Sequence, residues 1–126
     1  MFGAEMGTER PRCRRRGSLK FDERFVADVL SGRKRITIRK SKKVKPGDIV
    51  VLESDSGPFA IAYIEKVRPV KLHDLSDEIA QRDGFRNRDE LLRALRHYYG
   101  HIDENEELYL IEFRVLRGIS DPRELK

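Results

Sequence analysis

Within Gly32-Arg33-Lys34-Arg35-Ile36-Thr37-Ile38-Arg39, an amine and a hydroxyl stand three residues apart among four cationic side chains. A threonine hydroxyl is a weak nucleophile until a base takes its proton, and a lysine can be that base only when neutral. Arg33, Arg35 and Arg39 favour the neutral amine by like-charge repulsion, as burial would. Lys34 and Thr37 are compatible with that chemistry, but their types and spacing alone do not single it out. The plainer readings are a phosphate contact for Lys34 and a β-branched strand residue for Thr37.

The surrounding pattern says how these groups are held. Ile36, Thr37 and Ile38 alternate at period two, which puts the two isoleucines on one strand face and Arg35, Thr37 and Arg39 on the other. Lys34 shares parity with the isoleucines but stands at the junction before the strand. Upstream, Phe25, Val26, Val29 and Leu30 recur at helical spacing, with Asp22 as N-cap and Gly32 where a helix ends in positive φ.

The 126 residues suit one domain. Hydrophobic residues make up 38% of the chain and charged ones 39%, the latter well above the usual ~25%. Together with only three Asn and Gln residues, that charge content resembles a thermophile's surface. The net charge of +5 conceals a polarity: residues 1 to 17 carry +3, residues 33 to 45 carry +8, and the remainder carries −6. A basic patch on an otherwise acidic domain points to an anionic partner, nucleic acid or nucleotide foremost. Arg33, Arg35, Arg39, Lys40, Lys42 and Lys43 are the candidate phosphate contacts. No apolar run reaches the ~18 residues of a membrane span, no apolar segment marks a secretory leader, and the lone Cys13 cannot form an intrachain disulfide. A cytoplasmic protein is expected.

Residues 1 to 17 read as a disordered basic arm, 18 to 118 as the domain and 119 to 126 as a loose tail. Strands are expected at Leu19–Phe21, at Ile36 to about Lys40, at Ile49–Glu53, from Phe59 to about Val67 with Pro69 limiting it, and at Leu108–Leu116. Lys45-Pro46-Gly47-Asp48 fits a type II turn. Between the last two strands lie two helices, one from Ser76 to near Gly84 and one from Asn87 to Gly100, the latter with Leu91, Leu92, Leu95 and Tyr98 on one stripe. Tyr98 reads as core and Tyr99 as the base-stacking candidate. His97 and His101 have Gly100 between them and no third ligand, so no metal site is expected.

The order of these parts, with Gly-Arg-Lys-x-Ile-Thr-Ile-Arg, Lys-Pro-Gly-Asp, Asp-Gly-Phe between helices and Tyr-x-Ile-Glu-Phe, resembles the ASCH domain family of the PUA-like superfamily from about Leu19 to Leu116. Within it, the key stretch is most similar to the small N4-acetylcytidine amidohydrolases, whose Lys, Thr and Glu are regarded as catalytic. The resemblance implies an α+β fold: a small, mostly antiparallel PUA-like β-barrel with an N-terminal helix and a helical insertion before the last strand. It places Lys34 and Thr37 on the family's Lys and Thr. The third position falls on Asp83, one methylene shorter than Glu.

The resemblance implies a cytidine-type nucleoside or RNA ligand and hydrolysis of its N4-acyl amide, without cofactor or metal. A non-catalytic module for single-stranded or structured RNA is the alternative, and a ribonuclease on the same fold is chemically plausible. Salt separates the first two, because polynucleotide binding weakens steeply with salt and nucleoside binding does not. The oligomeric state is not legible.

Overall fold

The computed structural model describes residues 15–119. Its five strands form one sheet: β1 (Arg15–Lys20), β2 (Ile36–Arg39), β3 (Ile49–Ser54), β4 (Gly57–Val70) and β5 (Leu108–Gly118), in the spatial order β1-β3-β4-β5-β2. The β1–β3 pair is parallel and the other three are antiparallel, so the sheet is mostly antiparallel and curls into a half-barrel. The α+β class is as expected.

Three boundaries differ from expectation. β1 begins at Arg15, so the end of the expected arm is paired with the sheet. The rest of the arm, with Cys13, lies outside the described residues, as does the tail beyond Ile119. β4 runs through Pro69 to Val70, because past Ile64 it pairs with β5 alone and a missing N–H on its open side costs no ladder bond. The first helix is split into a 3-10 turn at Glu23–Phe25 and α1 at Val26–Ser31. Asp22 caps the turn by accepting from the Arg24 amide, and Gly32 closes α1 at φ 85°.

Two short elements carry the insertion. α2 (Asp77–Arg82) starts at Ser76, whose side chain accepts from the Ile79 amide, and α3 (Arg88–Tyr99) starts at Asn87, which accepts from Glu90. The helix stripe buries Leu91, Leu92 and Leu95 against Ile36, Ile38, Leu108 and Leu110 of the sheet. Burial of each such side chain stabilises by ~1.5–3 kcal/mol, enough to hold two helices too short to persist alone. A second apolar cluster, with Leu19, Phe21, Val50, Leu52, Ala62 and Phe113, fills the curl and receives Val29 of α1. The turn at Lys45–Asp48 forms as expected: Gly47 has φ 94°, the Asp48 amide donates to the Lys45 carbonyl, and the buried Asp48 carboxylate accepts from the Lys45 amide at 2.9 Å.

Candidate active site

Lys34 lies outside the β2 ladder, which removes the parity problem. Its amide donates to the Asp28 carbonyl at 3.0 Å, and the next amide, of Arg35, donates to the Arg82 carbonyl at 2.9 Å. The junction is thus tied to α1 on one side and to the end of α2 on the other. That tie brings Lys34 to Asp83, the residue capping α2. The Lys34 ammonium donates to both the Asp83 carboxylate and the Asp83 carbonyl, the latter at 2.6 Å. Gly84 follows at φ 94°, and a side chain there would meet the Lys34 stem at 3.5 Å.

Both partners are almost wholly buried, at 3% exposure each. Beyond Asp83, Lys34 meets aromatic rings: its Nζ lies 4.7 Å from the Phe25 centroid and 5.7 Å from those of Phe21 and Phe85. Burial draws the Lys34 amine below the ordinary lysine range, against the opposing pull of Asp83. The Asp83 carboxyl is pushed up to about 6, burial outweighing the attraction of Lys34. Each group is thereby moved toward its neutral form, which is what proton exchange at neutral pH requires.

Thr37 is buried in the middle of β2, flanked by Ile36 and Ile38, so three successive residues lose contact with solvent. Alternation alone would have left Thr37 facing water. It lines a cavity of about 250 Å³ that lies between the strand edges and α3. Lys34, Thr37, Asp83, Arg39 and Tyr99 all line this cavity, with Phe21, Phe25 and Phe85 among its apolar walls.

Arg39, expected among the phosphate contacts, is a wall of the cavity. Its Nε donates to Thr37 Oγ1 at 3.0 Å, a terminal nitrogen donates to the Lys20 carbonyl at 2.8 Å, and its guanidinium lies 5.0 Å from the Phe21 ring centroid. Since β1 and β2 are the two edges of the sheet, this one side chain clasps the open side of the half-barrel and orients the threonine. The other expected cations lie elsewhere. Arg33 and Arg35 are exposed, with Arg33 3.9 Å from Asp28; Lys40 pairs with Glu106 at 3.4 Å, Lys42 lies 6.0 Å from the Tyr109 ring and Lys43 is exposed.

One of the two tyrosines departs from expectation. Tyr98 is 46% exposed, while Tyr99 packs partly against the core. Helical periodicity puts Tyr98 on the leucine stripe, but at the last turn α3 passes the cavity mouth, where the Tyr98 hydroxyl donates to Asp22 at 3.0 Å. The Phe21 and Phe25 walls and the Asp22–Tyr98 contact are not expected from the sequence as parts of the site. Their only sequence signal is the cluster Phe21-Asp22 and Phe25 beside the cap. Among the described residues, no group of three or more His, Cys, Asp and Glu side chains is placed to hold a metal ion.

Comparison with known proteins fits this geometry. The ASCH domain family model matches residues 16–117. The N(4)-acetylcytidine amidohydrolase of Edwardsiella ictaluri is 34% identical over 107 residues, covering 81% of this chain and 95% of that protein. The N(4)-acetylcytidine amidohydrolase of Klebsiella pneumoniae is 33% identical over 103 residues, covering 78% and 95%. Among solved structures, an ASCH domain from Lactobacillus crispatus superposes with a TM-score of 0.69 at 19% identity, covering 79% of this chain and 78% of that one. Family model, relatives and shared fold agree over one span, and the chain belongs to the ASCH domain family.

Proposed function

We propose that this protein hydrolyses the N4-acyl amide of an acetylated cytidine, with Lys34 as base, Thr37 as nucleophile and Asp83 as proton donor. One observation carries the reading: a buried amine, carboxyl and hydroxyl face a single small cavity. It is supported by the 33–34% identity to N(4)-acetylcytidine amidohydrolases.

The chemistry follows from the pair's shared proton. With Lys34 neutral and Asp83 protonated, Lys34 accepts the Thr37 proton as Oγ1 bonds to the acyl carbon, and the carbonyl π pair moves to oxygen. Arg39, already donating to Oγ1, is placed to stabilise that oxyanion. The C–N4 bond then breaks, N4 takes the Asp83 proton, and the nucleoside leaves with a free amino group. Water adds to the acyl-threonine, giving its proton to the Asp83 carboxylate, while Lys34 returns a proton to Oγ1. Acetic acid leaves, giving its proton to solvent as acetate, and the pair is restored.

The test is release of cytidine and acetate from N4-acetylcytidine, followed by chromatography. Lys34→Ala and Thr37→Ala should each lower kcat/KM by ~10³-fold or more; wild-type rates in both would overturn the assignment. A second reading, an RNA-binding module without chemistry, draws on Arg33, Arg35 and Lys43, which stay exposed outside the cavity. It is favoured if no hydrolysis occurs and RNA binding falls steeply with salt.

A further inference from the structure

The cavity of the reacting groups opens beside a second chamber of about 470 Å³. The two share Asp22, Phe85, Ala94 and Tyr98 as walls, so they adjoin at these residues. The second chamber has a different character. Arg24, Arg93 and His97 line it, with Glu90 and Asp22 as its carboxylates.

The carboxylates are already engaged. Glu90 accepts from the Arg86 amide at 2.7 Å and from the Arg86 guanidinium, and Asp22 accepts from the Arg24 amide at 3.2 Å and the Tyr98 hydroxyl at 3.0 Å. Arg93 has no hydrogen bond or ion pair within the described residues. Glu90, Arg93 and His97 share one helical stripe, facing Arg24 across the chamber, whose guanidinium leans on the Phe25 and Phe85 rings at 4.7 and 5.9 Å. An aromatic-walled cavity thus adjoins, across a carboxylate acceptor, a pocket lined by two arginines. Base, ribose hydroxyls and phosphate call for those surroundings in that order, since a carboxylate only accepts from hydroxyls and guanidinium forks suit phosphate.

We infer that the ligand is a phosphorylated nucleoside, with its base among Lys34, Thr37 and Asp83, its ribose beside Asp22 and its phosphate held by Arg24 and Arg93. This deepens the proposed function and rests on it for the orientation of the base. The phosphate would set the protein's preference for a nucleotide, or a nucleotide unit of RNA, over the free nucleoside.

Binding tests it without any need for turnover. Calorimetry with cytidine and with cytidine 5′-monophosphate at low ionic strength should show the nucleotide binding about tenfold more tightly. Arg93→Gln, an exposed helix position where folding is secure, should remove most of that ratio and leave cytidine unchanged. Lys66→Gln removes an equal charge from β4, none of whose residues lines either pocket, and should alter neither. Equal affinities for the two ligands, no binding of either, or a nucleotide advantage that survives Arg93→Gln or falls equally in Lys66→Gln, would overturn the inference. A single-stranded RNA oligomer binding more tightly than the monophosphate, with the same Arg93 dependence, would identify the phosphate as one of a chain. Failure of the amidohydrolase reading shows separately, as absence of acetate release from N4-acetylcytidine and its monophosphate alike.

Discussion

Lys34–Asp83 and Arg114–Glu65 are both cation–carboxylate pairs, and each joins residues 49 apart in the chain. Their loop-closure entropies are therefore comparable, and what separates them is surroundings. The side chains of the first pair are 3% and 4% exposed; those of the second, on the outside of the sheet at 3.1 Å, are 58% and 42% exposed. Water solvates the outer pair whether or not it forms. The inner pair has lost that solvation, and mutual attraction only partly offsets the loss. A buried pair is thus a poor device for stability and a good one for exchanging protons, because burial moves both groups toward neutrality.

The largest test of this contrast removes one buried partner. Asp83→Ala leaves the Lys34 ammonium with one carbonyl and three aromatic rings, and should lower the unfolding free energy by ~3–5 kcal/mol in urea titrations. Adding Lys34→Met should recover most of that loss, since the penalty belongs to the orphaned charge and not to the missing attraction. A single-mutant cost near that of a surface residue would break the comparison.

A subtler test uses pH. Asp83 titrates near 6 in the folded protein and near 3.8 when unfolded, so between those values the folded state binds more protons. Stability from this group is fully present below about pH 4 and is lost as pH rises through about 6. Lys34, lowered by burial, acts oppositely: the unfolded chain holds the extra proton, so its contribution to stability grows as pH rises toward the ordinary lysine range. Denaturation curves at pH 4 and 6 should show the first slope in the wild type and not in Asp83→Asn. If hydrolysis uses the pair with one shared proton, kcat/KM should rise through about 6 and fall where Lys34 loses its proton. A flat profile would separate the pair from the chemistry.

Which pair matters was only half legible in the sequence. Gly32 to Arg39 announces a helix end, a junction and a strand, and the Ser76 and Asn87 caps and the Lys45–Asp48 turn follow from local chemistry that the fold respects. Local rules failed where a distant element intervened. Thr37 is buried beside Arg39 where that side chain spans the sheet edges, Pro69 is tolerated because β4 lacks a second neighbour there, and Tyr98 meets Asp22 across 76 residues. The charge of Arg39 is plain in the sequence, but that it joins the two edges of the sheet is encoded by no periodicity. The Lys34–Asp83 contact was reached through family resemblance alone; spacing in the chain carries no sign of it.

The smallest effect completes the comparison from the other side. Arg114 also lies 5.3 Å from the Tyr63 ring centroid, so Arg114→Ala loses apolar packing as well as charge. A double-mutant cycle of Arg114→Ala and Glu65→Ala isolates the pair itself, and its coupling should be ~0.2–1 kcal/mol. That coupling should fade as salt is raised toward 1 M, because counterions reach both groups. The corresponding cycle on Lys34 and Asp83 should stay nearly constant over the same range, since those side chains are only 3% and 4% exposed. Equal salt dependence in the two cycles would mean that electrolyte screens the buried pair as it does the outer one, and the argument for neutralised groups at the site would fall.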